Sequence, residues 1–549
     1  MRSHFPRICF GLLAATVATT SVAQTFHDAP ASAKDQRNPT SGTAAVKAGA
    51  DAYATNCSGC HGNAGEGAID GPTLKSDAVK SAADGELFWF ITHGSPANGM
   101  PAWEQLPETQ RWELGDFVRS LQSANASAAP VTSASTAQPI AATASPNAPF
   151  TDYRYESPGT SRKITPNDLP KAYATTSSNN GARMVKRPAD VWPKTLPGFN
   201  VELYVEGIAA PRLIRTAPNG DYFAALTNAG KIALFRGITA QGKPEQAESF
   251  AEGLHQPFGI AFYPPGPDPK WVYIGNTNEV VRIPYQNGDV KARGKPEHIL
   301  DLPTGGHSTR DIAFSPDGKS MYVSVGSGSN VDDPDTHPQE RHRADILVAN
   351  PDGSDVRVFA SGIRNPVGLA IQPGSGDVWC SVNERDGLGD NLVPDYITHV
   401  QKDGFYGWPW WYIGAHQDPR HDGKHPELKS KTIVPDVLLQ PHNASLQLTF
   451  YDGTQFPADY RGDIFASEHG SWNKSTRAGY EVIRIPLHQS GHASGDYEDF
   501  LTGFVLDNGD VWGRPVGVTV AKDGSLLVTD DGSNSIWRVS YTGAAADKK

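Results

Sequence analysis

A chain of 549 residues has room for two or three domains, each with a full core. Its 60 acidic against 48 basic residues give a net charge of −12, and no block of like positive charge occurs. That balance argues against a nucleic-acid or anionic-membrane surface, while abundant Gly and Pro favour many turns and short strands.

The opening stretch, MRSHFPRICFGLLAATVATTSVAQ, reads as a secretory signal over residues 1–23. Arg2 and Arg7 precede an apolar run, and Ser21-Val22-Ala23 supplies a small-x-small cleavage site. The run is too short to cross a bilayer, and no later segment approaches the ~20 apolar residues that a span requires. Export, most simply to a bacterial periplasm, is the expectation. Cys9 would leave with the signal.

Residues 46–122 suit a small helical domain. Within it, NCSGCHG places Cys57 and Cys60 two residues apart, with His61 directly after. Two thiols that can reach two porphyrin vinyl groups, plus an imidazole below the iron, make a c-type haem site. A zinc knuckle would need a second Cys/His pair nearby, and none is present. The sixth ligand is expected from Met100 in NGMPAW, the one methionine of this domain, with His93 as the alternative. A thioether there raises the iron's potential. A His/Met haem has no vacant position, so it carries electrons and does not bind substrate.

Residues 123–149 are almost wholly Ala, Ser, Thr and Pro, which makes a tether. Such a length spans on average about 30 Å, holding the haem at roughly millimolar effective concentration beside the next domain.

From Pro211 onward one pattern recurs six times, beginning at Pro211, Pro257, Thr309, Pro366, Ser445 and Pro515. Each copy has an alternating apolar strand, a Gly-containing turn and a second alternating strand, the signature of a hairpin. Strand repeats of this size predict an all-β six-bladed propeller over residues 150–545, following an all-α cytochrome c domain. NVELYVEG, ahead of the first repeat, is expected to close the ring with the last blade. Cys380, in GDVWCSVNE, reads as a small apolar residue on a strand.

Loops at one end of the channel are where such a fold places chemistry. His307, in TGGHSTRDIAF, stands before a strand and could act as a base, or could be a surface histidine. Arg364 and Asn365 occupy the same point of the next repeat. NERDGLGDNLVPDY gathers Glu384, Asp386, Asp390, Asn391 and Asp395 among glycines, which suits calcium's need for oxygen ligands or is a solvated acidic loop. Arg385, Lys474, Arg477 and Arg514 add cations in comparable loops. Tyr406, Trp408, Trp410 and Trp411 could stack on a sugar or pack in a core.

GGHSTRDIAFSPDG, GIRNPVGLA, NERDGLGDNLVPDYITHV, DGFYGWP, EHGSWNKSTRAGYEV and GRPVGV occur in this order. Together they resemble the pyrroloquinoline quinone (PQQ)-dependent sugar dehydrogenases, in particular the sorbosone dehydrogenase-like branch of the soluble aldose sugar dehydrogenases. The resemblance runs from about residue 153 to 541 and implies an oxidoreductase with PQQ, Ca2+ and, through the front domain, haem c. It makes His307 the base that takes the substrate's hydroxyl proton. Arg364 and Asn365 would hold the quinone oxygens. Arg514, with Lys474 or Arg477, would meet the cofactor's carboxylates, and Arg385 joins the cofactor-binding set. Calcium falls to the 384–391 loop, through Glu384, Asp386 and Asp390 or partly through backbone carbonyls. Many relatives carry Glu at the position of Leu226, so substrate preference does not transfer. The implied partners are a sugar or sugar aldehyde and a downstream respiratory acceptor. Three rivals remain: a calcium-dependent propeller lactonase, a non-enzymatic redox or docking module, and an eight-bladed quinoprotein. Six repeats and the lack of a cysteine pair in the propeller weigh against the last.

Overall fold

The computed structural model describes residues 29–57, 61, 65, 73–94, 100, 103, 106–123, 148–178, 180–488 and 491–543. The signal segment, Cys60 and nearly all of the tether lie outside the described residues.

Among the described residues four α-helices form the front unit: α1 (Gly42–Asn56), α2 (Asp77–Ser81), α3 (Asp84–His93) and α4 (Glu108–Ser123). α1 and α4 cross so closely that a Cβ on Gly49 would overlap the Glu113 carbonyl, so glycine at this crossing is a packing requirement. Ala52, Tyr53, Ile91 and Leu114 are buried between the helices, with Cys57, Trp103, Leu106 and Phe117 packed on them.

The rest is the six-bladed propeller that the repeats predict. β1 (Ser161–Lys163) and β2 (Phe199–Glu206) precede the blades. Blade one holds β3 (Ile214–Thr216), β4 (Tyr222–Leu226), β5 (Lys231–Arg236) and β6 (Gln246–Ala251). Blade two holds β7 (Gly259–Tyr263), β8 (Trp271–Gly275), β9 (Glu279–Pro284) and β10 (Glu297–Asp301). Blade three runs through β11 (Ile312–Phe314), β12 (Met321–Val325), β13 (Asp345–Ala349) and β14 (Arg357–Ser361). In blade four, β15 (Asn365–Ile371), β16 (Val378–Asn383) and β17 (Pro394–His399) are followed by a small hairpin, β18 (Trp411–Tyr412) and β19 (His416–Gln417), before the outer strand β20 (Val437–Pro441). Blade five comprises β21 (Ser445–Phe450), β22 (Ile464–Glu468), β23 (Glu481–Ile485) and β24 (Asp496–Leu501), with β1 added at its edge. β25 (Pro515–Val520), β26 (Leu526–Asp530) and β27 (Ser535–Tyr541) make blade six.

The closing strand is the expected one. β2 pairs antiparallel with β27, Phe199 opposite Tyr541 and Val201 opposite Val539. Phe199 meets Phe456, Phe500 and Tyr541 with ring centroids about 5 Å apart, so aromatic contacts add to the ladder that joins the two ends of the propeller.

The recurring PFG, PVG and PVG triplets have a steric cause. Their glycines, Gly259, Gly368 and Gly517, lie on inner strands, and a Cβ there would strike the backbone at Arg310, Leu446 and Arg212, each in a neighbouring blade. Three inner strands can crowd the channel axis only without side chains at these points. The remaining apolar positions fill the space between blades, as with Leu213, Phe223, Ile260 and Val272 between blades one and two. Cys380 is fully buried in this packing and burial pushes its thiol well up, so it is the inert residue expected.

Candidate functional site

Strand direction gathers the candidate residues. In an antiparallel blade, the loop before the first strand and the loop from second to third strand open at the same end. His307, Arg364 and Arg514 stand just before the first strands of blades three, four and six. Glu384–Asp390 and His469–Arg477 lie in second-to-third loops of blades four and five. Residues far apart in sequence therefore share one mouth of the channel.

His307 is held from two sides. Buried Arg310 donates to the His307 carbonyl at 2.8 Å and to the carbonyls of Thr309 and Pro303, pinning the loop. The imidazole Nδ1 lies 2.9 Å from the Ser327 carbonyl and 3.1 Å from Ser327 Oγ, which itself donates to the Ser329 carbonyl. A carbonyl can only accept, so Nδ1 carries the proton and Nε2 carries the lone pair. Burial, then the charge of Arg364, lowers the His307 pKa to about 3. The ring is neutral at pH 7 and able to accept a proton at Nε2.

A Cβ on Gly326 would overlap both Asn365 Oδ1 and the His307 Cβ. Gly326→Ala is therefore expected to displace the imidazole and reduce turnover about tenfold or more, with the melting temperature, followed by circular dichroism, shifting only a few degrees. Full activity would mean that the loop absorbs the methyl group.

Arg364 and Asn365 are buried beside His307. Arg364 Nη1 donates to the Glu384 carbonyl at 2.7 Å, and Nη2 reaches Asn330 Oδ1 at 3.0 Å. Among the described residues its Nε, and Asn365 Oδ1, have no hydrogen-bond partner. Lys474 is 5% exposed, and its Nζ also has none; burial lowers its pKa to about 8. Buried polar groups are seldom left unpaired, and an unpaired buried charge is costly. The two orphaned donors, Arg364 Nε and Lys474 Nζ, fit an anionic, oxygen-rich molecule, while Asn365 Oδ1 can accept from a hydroxyl. The residues thus suit the quinone that the motifs imply.

Other cations are committed elsewhere. Arg477 donates from all three guanidinium nitrogens to the carbonyls of Gly509, Asn180 and Gly181, at 2.7 to 2.9 Å. Between the two residues offered for one position, Lys474 is the one with an unpaired charge. Arg385 is held by buried Asp418 at 2.9 Å. Arg514 reaches Asp531 at 3.0 Å, where Arg212 and His469 also converge.

The carboxylates expected for calcium, Glu384, Asp386 and Asp390, each take separate partners. Glu384 is buried against the amide of Arg385, and burial lifts its pKa to about 8. Asp386 faces His442 at 3.1 Å and Arg364 at 3.5 Å; burial pushes its pKa up, but these partners outweigh it and hold it at about 2. The Asp390 carboxylate accepts from the Ser475 amide, and the Asp390 amide donates to Thr175 Oγ1. Among the described residues no group of three or more His, Cys, Asp or Glu could hold a metal. The glycines that suggested a cation loop instead let the chain turn between these separate contacts.

Sequence reasoning missed Asn330. Its side chain bridges Arg364 and the backbone of Asp386, while its carbonyl accepts from Trp408 Nε1 at 2.9 Å. Its position in blade three's second-to-third loop was the available signal. Trp408, Tyr406 and Trp411 are buried, so packing is their role. A cavity of about 720 Å3 opens at the opposite end of the channel, lined by residues such as Arg215, Phe262, Phe314 and Thr519. None of the candidate residues reaches it.

In the helical unit His61 is buried, its amide bonded to the Cys57 carbonyl at 2.9 Å in one helical turn. That turn carries the imidazole and the Cys57 thiol together, as haem attachment requires. Met100 is half-buried. His93, the alternative ligand, is exposed, bonds the Trp89 carbonyl of its own helix at 3.0 Å and stacks on Trp89. Met100→Ala is expected to keep covalent haem, lower its potential and alter its absorption spectrum; an unchanged spectrum would assign the ligand elsewhere.

Comparison with known proteins matches residues 44–118 to a family described as cytochrome C oxidase, cbb3-type, subunit III. Residues 193–401 and 415–542 match a family described as TrAA12-like. An uncharacterized protein of Borreliella burgdorferi is 30% identical over 358 residues, 63% of this chain and 89% of that protein. The PQQ-dependent pyranose dehydrogenase of Coprinopsis cinerea is 23% identical over 401 residues, 62% of this chain and 53% of its own, so this chain spans about half its length. The solved PQQ domain of the Coprinopsis enzyme superposes with a TM-score of 0.53 at 20% identity, covering 65% of this chain and 98% of that domain. That likeness establishes the fold. The resemblance drawn from the motifs is borne out for the propeller, and the cytochrome c reading for the front domain.

Proposed function

The chain belongs to the TrAA12-like family, and on that footing we propose that it is an exported, periplasmic quinohaemoprotein dehydrogenase. It oxidises an aldose sugar or sugar aldehyde with PQQ at the channel mouth and passes the electrons to its own c-type haem. The observation that carries this reading is the buried, unpaired ammonium of Lys474 at the mouth that also holds a neutral His307.

When bound, PQQ supplies a two-electron acceptor for hydride from the carbon that bears the substrate hydroxyl. Lys474 Nζ and Arg364 Nε, both unpaired among the described residues, would hold the cofactor's anionic and carbonyl oxygens, and the guanidinium would favour negative charge developing there. His307 Nε2 takes the hydroxyl proton as the carbonyl forms, while the Ser327 carbonyl fixes the tautomer and direction of the ring. Arg310 keeps the loop from moving during this transfer.

The purified chain, loaded with PQQ, tests the reading by its haem absorbance when aldoses and sugar aldehydes are added. Appearance of the reduced haem bands is expected. Lactone hydrolysis without quinone, or haem that stays oxidised while an artificial dye is also not reduced, would overturn it.

A further inference from the structure

Before β2 the chain lays a strap, residues 171–178 and 180–192, along the rim of the channel mouth. The Tyr173 amide bonds the Leu388 carbonyl at 2.8 Å, and Thr175 Oγ1 accepts from Asp390 N at 2.8 Å. Asn180 N then donates to the Trp472 carbonyl at 2.7 Å, and Val185 N to the Val511 carbonyl at 2.8 Å. The strap thus passes from blade four over blade five to blade six, on the loops that carry the site.

This rim is unusually apolar. Among the described residues seven large hydrophobic side chains are exposed, and three are valines on blades three and four. The other four are Tyr173 (61%), Met184 (39%) and Trp192 (43%) in the strap, and Trp472 (53%) in the loop beneath it. Exposed aromatic and methionine side chains concentrated around a mouth mark an interaction surface.

We propose that this rim, through Tyr173, Met184 and Trp472, is the docking face for the chain's own haem domain. The inference rests on the dehydrogenase reading and adds the surface through which electrons leave. Two observations select that occupant. The tether re-enters the structure beside the rim: Pro149 and Thr151 bond the Gln440 side chain near the mouth end of β20, and Tyr153 N then donates to the Arg477 carbonyl at 2.8 Å, five residues from Trp472. The 24 residues between Ser123 and Ala148 span about 25–30 Å on average, enough to reach across the mouth but short enough to keep the domain there. Charge agrees as well. Residues 42–123 carry ten acidic side chains against Lys47, Lys75, Lys80, Arg111 and Arg119. The strap carries Lys171, Arg183, Lys186 and Arg187 against Asp190 alone.

A fluorophore on Ala174→Cys, an exposed strap position, reports the haem by energy transfer; Cys380 is buried and does not compete for label. In the full haem-bearing chain a short lifetime is expected, lengthening at least about twofold in 0.5 M salt and in the Tyr173→Ser/Met184→Ser/Trp472→Ser variant. Each single serine variant is measured alongside, since each side chain is exposed and its loss leaves the core intact. Lifetimes unmoved by salt and by every variant would overturn the proposal, as would quenching that fades on dilution, which means a second copy. With PQQ and sugar, haem reduction in the triple variant is expected to slow at least tenfold while dye reduction continues. Absence of dye reduction in the unaltered chain overturns the dehydrogenase reading instead, and the lifetimes still decide docking.

Discussion

His307→Gln is expected to slow sugar-driven reduction of the bound quinone by at least about a hundredfold. General-base assistance of this kind is worth ~10²–10⁴ in rate, and the structure gives His307 both attributes of a base. Its Nδ1 proton is fixed on the Ser327 carbonyl, which leaves Nε2 as acceptor. Burial and Arg364 keep the ring neutral down to about pH 3. Glutamine keeps a comparable size and some hydrogen bonding but takes no proton near neutrality. Rapid mixing of the quinone-loaded variant with substrate measures this half-reaction without the haem. The pH dependence adds an independent check. A base with a lowered pKa stays available as pH falls from 7 to 5, so the unaltered enzyme loses little of this rate over that range through His307. A variant at near wild-type rate would reduce His307 to a well-packed loop histidine.

Most of the fold was legible because its physical causes repeat. Alternating strands and Gly turns recur for each blade, the PFG and PVG triplets for every second one, and the closing strand could be read from its isolated pattern in NVELYVEG. The site was legible only in part. His307, Arg364 and Lys474 could be named because they stand in loops whose place in the blade is readable from the repeat. In the acidic loop composition counts carboxylates and not directions: Asp390 bonds Ser475, whereas Asp386 faces His442 and Arg364. Arg477 and Lys474 are three residues apart and chemically alike in sequence. Only the backbone carbonyls of Asn180, Gly181 and Gly509, brought in by distant segments, separate a structural guanidinium from an unpaired ammonium. Asn330 stayed invisible for the same reason, since its partners lie in blade four and the hairpin insertion.

Lys474→Met is expected to weaken PQQ binding about 30-fold or more, because removing one partner of a buried charge pair costs about 2–5 kcal/mol. Methionine keeps the length and fits a buried position, so the loss is one of charge. The empty protein should respond in the opposite direction. A lysine whose pKa is lowered on folding, here to about 8, is held charged at a cost, and that cost is relieved as pH rises through 8 toward its unfolded value. Lys474→Met removes the cost, so the unloaded variant melts at the same temperature or higher at pH 7. In the unaltered chain, quinone affinity falls above about pH 8, where Lys474 loses its proton before binding; in the variant that slope disappears. Calorimetric titration with PQQ at pH 7, 8 and 9, with thermal melts of the unloaded proteins, reads all three effects. An unloaded variant that melts well below the unaltered chain would make Lys474 a structural cation. Equal affinities at every pH would remove it from the cofactor site.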